Sequence, residues 1–277
     1  MRPISIPAYI QQCWQNNLSE EEKIQQIKGA YRNLYKGNPE VSIVIPAYNE
    51  EKNILQALMS LSNNDTKYSV EIIVVNNNSK DNTEAIVKAT GVNCITELKQ
   101  GITAARTAGL MNAKGKYILN ADADTIYPKD WVQLMITPLE NNGNALTYGT
   151  FAFIPVGKTR RLTYFFYEYF ADCIRIINGY MKDEAVNVYG FNSAYRREQG
   201  IAVDGYQHPP GSNEDGYLAL KLRNQGYGKL YKVNNIKALA WTTDRRIQTD
   251  GGIWIATSQR LKKFFSRSKE ISIRSDL

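Results

Sequence analysis

The sequence predicts an α/β fold, a mostly parallel sheet with helices on both faces. Three observations predict it. Apolar runs at residues 41–46, 71–75, 92–96 and 116–120 alternate with helical stretches, the order that a parallel sheet requires. The runs VSIVIP and EIIVV are continuously apolar and β-branched rather than alternating, as in strands buried on both faces. Polar residues then close three of the strands: Tyr48, Asn49 and Glu50; Asn76, Asn77 and Asp81; Asp122 and Asp124. A parallel sheet gathers all of these on one rim, the edge at which open α/β sheets bind ligands.

Bulk properties narrow the class. The chain has 277 residues, 43% hydrophobic and 22% charged, which suits one large globular domain with additions. No apolar run reaches the roughly eighteen residues of a membrane span. The opening MRPISIPAYIQQCW lacks the apolar core of a secretory signal. Cys13, Cys94 and Cys173 form no CxxC pair, so reduced thiols in the cytoplasm are expected, with neither zinc nor disulfides. The net charge of +7 favours anionic partners. No nucleic-acid-binding module is recognisable, and none is expected.

Taken in order, residues 1–40 read as a helical extension. Ser19 and Glu22 have capping-box form, Ile24, Ile27, Tyr31 and Leu34 keep helical spacing, and Asn38-Pro39 ends the helix. After the first strand, AYNEEKN enters a helix with Ile54, Leu55, Leu58, Met59 and Leu61 on one stripe. After the second, NNNSKDNT leads into a helix at 84–89. The third precedes a glycine-opened helix whose Ala104, Ala105, Ala108 and Gly109 allow close approach to a sheet. The fourth is KYILNADAD, with Asp122 and Asp124 one residue apart where the strand runs out. Two such carboxylates repel each other and resist desolvation without a cation. A hard divalent ion completed by a substrate's phosphates is their natural partner; a solvated turn is the plain alternative. Neither GxGxxG nor GxxxxGK[ST] occurs, which excludes the dinucleotide fingerprint and the P-loop.

The second half carries sparser signals. In residues 163–180, Phe166, Phe170, Ile174 and Ile177 keep helical spacing and are expected to face the core. The other reading is an exposed aromatic face for a lipid-linked or glycan acceptor. SNEDGYLALKL opens a helix capped by Ser212 or Asn213, with Glu214 and Asp215 in its first turn and Leu218 and Leu222 inward. His208 lies in the Pro/Gly-rich loop just before it. A strand-like stretch at 236–241 leads to Arg245 and Arg246, either a loop closing on phosphate or surface charge. Residues 251–277 form a basic tail whose amphipathic part, 254–267, suits an anionic membrane surface.

The strings VSIVIPAYNEEKNI, EIIVVNNNSKDNT, GITAARTAGL, KYILNADADTIYPKDWV, GFNSAYRRE and NEDGYLALKLRNQGY, in this order, resemble the family 2 glycosyltransferases. The resemblance implies the GT-A fold, Rossmann-like, over residues 41–250. It implies an inverting enzyme that moves one sugar from a nucleotide-diphosphate sugar, UDP-sugar first, to a hydroxyl of a glycan or lipid-linked acceptor, with Mn²⁺ or Mg²⁺. A place in the cytoplasm, or at the inner face of the cell membrane in envelope polysaccharide synthesis, goes with it. By the same resemblance, Pro46, Ala47, Tyr48 and Glu50 line the base and ribose. Asn77 stands where the family has an aspartate, which leaves the base open. Arg106 faces the diphosphate, Asp124 closes a DXD motif as metal ligand, and Asp122 supports the metal or the ribose. Gly190, Phe191 and Asn192 lie beside the donor sugar, and Asp215, next to Glu214, is the catalytic base. His208 lines the acceptor site or a further metal. Gln259 and Arg260 stand without the Trp of a processive enzyme, so single-sugar addition is expected. The rivals are a nucleotidyltransferase of similar fold and a non-catalytic nucleotide-sugar-binding protein.

Overall fold

A computed structural model describes residues 2–181, 183–255, 257 and 258. Two helices, α1 (Ala8–Trp14) and α2 (Glu20–Leu34), precede the sheet. The capping box opens α2 as the sequence predicts: Ser19 Oγ accepts from the Glu22 amide, and the Glu22 carboxylate accepts from the Ser19 amide. There follow β1 (Val41–Ala47), α3 (Ile54–Ser62), β2 (Val70–Asn76), α4 (Thr83–Ala89), β3 (Asn93–Thr96), α5 (Ile102–Asn112) and β4 (Tyr117–Asn120). Their strands lie parallel in the order β3-β2-β1-β4. All of β2 is buried, and so is β1 apart from Pro46, which explains their unbroken apolar sequences.

The chain continues through β5 (Thr125–Ile126), α6 (Trp131–Ile136), β6 (Asn144–Tyr148), β7 (Phe151–Ile154) and α7 (Arg161–Met181). It ends, among the described residues, with β8 (Ser193–Arg196), α8 (Arg197–Ala202), α9 (Glu214–Asn224), β9 (Lys229–Lys232), β10 (Ala240–Thr243) and α10 (Arg245–Thr249). The main sheet extends as β4-β8-β6-β9. Only β8 is reversed: it pairs antiparallel with β4 and β6, while β6 and β9 are parallel. The carboxyl ends of β1, β2, β4, β6 and β9 therefore share one rim. A second sheet, β5-β10-β7, sets Thr242 opposite Thr125, so the loop containing Asp122 and Asp124 is held beside the start of α10.

Several expectations change. Residues Ile236–Ala238 form a 3-10 turn capped by Asn235, and the strand begins only at Ala240. The extension at 1–40 needs no change, since it packs on the fold: Ile10 and Cys13 share a cluster with Ile126, Ile154 and Trp241, and Ile27 and Leu34 join the main core. Helix α7 is turned the other way. Tyr164, Tyr167, Glu168 and Ala171 face inward, whereas Phe166 and Ile177 are exposed and Phe170 lies at the surface. The cause is Glu168. Its carboxylate accepts from the Phe153 amide at 2.7 Å and from Arg161 at 3.0 and 2.9 Å, with Arg2 3.6 Å away. A buried carboxylate must stay with its partners, so it dictates the rotation of a helix that has aromatics on every side. Among the described residues no helix is long and apolar enough to cross a membrane. Residues 259–277 of the expected basic tail, with Gln259 and Arg260, lie outside the described residues.

Candidate active site

Helix α5 lies close on β1. A Cβ at Gly109 would sit 2.2 Å from Val44 Cγ1, so only glycine permits the approach. That seating delivers Arg106 to the centre of the rim. Its side chain is 3% exposed and faces three carboxylates. One terminal nitrogen lies 3.2 Å from Asp122 Oδ1, while Nε lies 3.5 Å from Asp215 Oδ1 and 3.9 Å from Glu214 Oε1. The other terminal nitrogen donates to the Gly190 carbonyl at 3.1 Å. Gly190 must be glycine, since a Cβ there would fall 2.1 Å from Asp215 Oδ2 and 2.3 Å from Arg106. Arg106 is thus a charge clamp beneath the rim rather than an exposed hand for the diphosphate. It joins the Asp122 loop to the start of α9, which are far apart in sequence.

The start of α9 is capped by Asn213, whose side-chain oxygen accepts from the amides of Asp215 (2.8 Å) and Gly216 (3.3 Å). Glu214 and Asp215 are both buried. Burial pushes the Asp215 carboxyl up to about 8; Arg106 opposes this, and the negative charges of Glu214 and Asp122 reinforce it. Among the described residues its Oδ1 accepts no hydrogen bond. The carboxylate therefore has a raised proton affinity and an oxygen able to accept.

At the outer rim, Asp124 Oδ2 lies 3.2 Å from Arg245, and Thr243 Oγ1 donates to it at 3.5 Å. Arg245 also pairs with Glu50 at 2.6 Å. Arg245, about half exposed, thus lies at the rim beside Asp124 and Glu50. Burial first, then Asp122, pushes the Asp124 carboxyl up, while Arg245 and Arg246 pull it down. Among the described residues no group of three or more His, Cys, Asp or Glu converges as a metal cage. A hard carboxylate such as Asp124 still fits an ion that takes one protein oxygen and completes its shell with phosphate and water. Asp122 is bound up with Arg106, and its amide donates to the Tyr127 hydroxyl, which donates to the Phe191 carbonyl.

At the other end of the rim Tyr48 is exposed, Pro46 is half-buried, and the Ala47 carbonyl accepts from the Asn77 amide at 2.8 Å. The Asn77 side chain is largely committed. Its nitrogen donates to the carbonyls of Glu97 (3.0 Å) and Lys99 (2.7 Å), and its oxygen accepts from Gly101 (2.8 Å). An amide so used has no further hydrogen to give and one oxygen lone pair left. Asn192 is committed as well: it accepts from Trp131 Nε1 and donates to the carbonyls of Thr150 and Ala238. It is a tie beneath the site rather than a group that touches sugar. His208 meets Thr103 Oγ1 at 3.1 Å and Ser212 Oγ at 3.2 Å, and among the described residues it joins no cluster of metal ligands.

Sequence reasoning missed two supports. Asp244, fully buried, accepts from the Val156 amide, the Tyr164 hydroxyl and Gln248 at 2.8, 2.6 and 2.8 Å, and so fixes the turn that presents Arg245. Tyr127 ties the Asp122 loop to Phe191. Nothing in their neighbours' sequence marks either; both act through partners distant in the chain.

Solved structures share this fold. The mannosyltransferase PcManGT from Pyrobaculum calidifontis, in complex with GDP-Man and Mn²⁺, matches with a TM-score of 0.57 at 18% identity, over 81% of this chain and 68% of that one. Glucosyl-3-phosphoglycerate synthase from Mycobacterium tuberculosis, in complex with Mn²⁺, UDP and phosphoglyceric acid, matches at 0.53 and 19%, over 90% and 84%. The fold is GT-A. The chain belongs to glycosyl transferase family 2, whose model matches residues 42–199, more than half of it. The uncharacterized glycosyltransferase YfnE of Bacillus subtilis is 30% identical over 136 residues, 47% of this chain and 33% of YfnE. The chain thus spans about a third of the length of that relative.

Proposed function

We propose that the enzyme is an inverting, metal-assisted transferase moving one sugar from a UDP-sugar to a hydroxyl of a glycan or lipid-linked acceptor. The observation that carries this reading is the buried Arg106, which holds Asp122 and Asp215 within reach of one guanidinium. The loop for the leaving group and the base for the acceptor are thereby set side by side. Asp215 takes the proton of the attacking hydroxyl as that oxygen approaches the anomeric carbon from the face opposite the diphosphate. A single displacement inverts the centre. Asp124 would hold Mn²⁺ or Mg²⁺, which when bound offsets the charge of the departing diphosphate. Arg245 and Arg246 add positive charge at the same edge.

For the base, the remaining lone pair of Asn77 accepts an N–H, which the imide edge of uracil offers. That PcManGT and the synthase were solved with Mn²⁺ and a nucleotide or nucleotide sugar supports the donor class. The exposed side of α7 supports the lipid-linked form of acceptor and contact with an anionic membrane from the cytoplasmic side. Phe166, Ile176, Ile177, Tyr180 and Met181 are exposed there, while the helix's acids are used inward, Glu168 on Arg161 and Asp172 on Arg2.

A thermal-shift panel of UDP and GDP with and without Mn²⁺ tests the donor site. UDP with Mn²⁺ is expected to raise the melting temperature, and no shift with either nucleotide would contradict the proposal. Asp215→Asn is expected to keep the UDP shift and lose transfer.

A further inference from the structure

Helix α7 presents to solvent a side without charge. Its exposed positions recur every three or four residues from Leu162 to Met181 and hold no Asp, Glu, Lys or Arg, so they form one stripe along the helix. Phe166 is 64% exposed, Ile176 55% and Tyr180 89%. The charged residues of the helix turn inward instead: Glu168 pairs with Arg161, and Asp172 with Arg2 and Arg175. Cations bound the stripe. Lys158 and Arg160, both exposed, stand just before the helix. At the far end a cavity of about 330 Å³ borders it, lined by Ile176 and Tyr180 together with Arg175 and Lys232.

The cavity is net positive. Glu184 is the carboxylate of its wall, and it accepts from the Tyr148 hydroxyl at 2.6 Å. Asp172, 2.5 Å from Arg175, is also held by Arg2 at 2.6 and 3.0 Å. Arg2, Arg175 and Lys232 therefore outnumber Asp172 and Glu184. The Arg175 guanidinium is fixed in place over Phe151 and Tyr189, 5.5 Å from each ring centre. A guanidinium so held suits phosphate oxygens, and the Lys232 ammonium adds a compact charge beside it. A helix with an apolar outer side, cations at both ends and too little apolar length to span a bilayer rests in the plane of a membrane interface. Its cations then meet the negative surface of anionic lipid. A second copy of the chain fits less well, since pairing two α7 helices in either direction sets cations against cations.

We propose that the cavity holds the phosphate of an anionic membrane phospholipid between Arg175 and Lys232, while the exposed side of α7 lies in the bilayer interface. The proposal rests on the reading of α7 as the membrane-facing helix and names what that helix recognises. The lipid is an anchor and takes no part in the transfer.

The test is co-pelleting of the full chain with vesicles of phosphatidylcholine alone and of phosphatidylcholine and phosphatidylglycerol in equal parts. The parent is expected to pellet with the mixed vesicles and to stay in solution with phosphatidylcholine alone. Lys232→Gln is expected to weaken partitioning about fivefold, the effect of one cation at a lipid surface. Tyr180→Glu should weaken it at least as much, with circular dichroism unchanged in both. Lys114→Gln, an equal loss of charge at the opposite edge of the sheet, should leave partitioning nearly unchanged, since screening confines a charge to its own neighbourhood. Equal losses in Lys232→Gln and Lys114→Gln would mean diffuse attraction and overturn the proposal. Release of the protein by inorganic phosphate at constant ionic strength would overturn it too, as would lipid-free dimers that Tyr180→Glu dissociates in sedimentation velocity. Undiminished pelleting of Lys232→Gln beside a loss in Tyr180→Glu overturns the cavity's role and leaves the membrane reading of α7 in place. Failure of the parent to pellet strikes that reading itself, and the proposal with it.

Discussion

At the scale of single residues, Asp215 carries the sharpest consequences. Its folded carboxyl is raised to about 8 by burial, whereas the unfolded one ionises near 4. Between those values the unfolded chain binds fewer protons, so stability falls as pH rises through the window. Asp215→Asn removes that titration. The variant is expected to be more stable than the parent at pH 8, on the order of a few kcal/mol, with the difference shrinking towards pH 4; denaturant melts across that range check it. With Asp215 as the proposed base, the same proton affinity sets activity, since a base works only when ionised. The kcat/KM profile is expected to show an acid limb well above the ordinary carboxylate range, and a limb below pH 5 would contradict the environment described for Asp215. Position was legible in the sequence here, since SNEDGYLALKL reads as a helix start capped by Ser212 or Asn213 with two acids in its first turn; burial of the pair was not. Partnership was not. Arg106 lies on another helix, and no spacing rule links it to a residue 109 positions further on.

At the scale of elements, β1, β2, β4 and the helices between them could be read from unbroken apolar runs and glycine-opened helices. The orientation of α7 could not. Its aromatics are spread around the helix, so periodicity offers several faces, and the choice is made by the Glu168 ion pairs with Arg161 and Arg2. The reversed strand β8 was equally hidden, because SAYR is too short to declare its direction. Contact between α5 and β1 gives a prediction at this scale. Gly→Ala inside a helix ordinarily gains about 1 kcal/mol. At Gly109 the added methyl meets Val44, and overpacking of this kind costs about 1–3 kcal/mol. Gly109→Ala is therefore expected to lower both the unfolding free energy and, by shifting Arg106, the transfer rate. A denaturant midpoint at or above the parent's would contradict the packing described for this pair.

At the scale of the whole molecule, the rim is assembled from opposite ends of the chain. The pairing of β5 with β10 brings Arg245 to Asp124 and Glu50 across almost two hundred residues, and the first helices pack into the same core. The net charge of +7 and the exposed apolar side of α7 combine in one expectation. The protein should pellet with vesicles containing anionic lipid, and Phe166→Glu with Ile177→Glu should reduce the bound fraction several-fold without altering circular dichroism. Equal pelleting of both proteins would remove α7 from membrane contact. On the function proposed, leaving-group stabilisation belongs to Asp124 and proton removal to Asp215, with Arg106 tying Asp215 to Asp122 on the Asp124 loop. Calorimetric titration of UDP-sugar, with Mn²⁺ and with Mg²⁺, into the parent, Asp124→Asn and Asp215→Asn, with turnover measured in parallel, tests it most directly. Asp215→Asn is predicted to bind the donor as the parent does and to lose turnover by a hundredfold or more, while Asp124→Asn loses metal-dependent binding. Near-normal turnover in Asp215→Asn, or metal-dependent binding unchanged in Asp124→Asn, would contradict that division of labour.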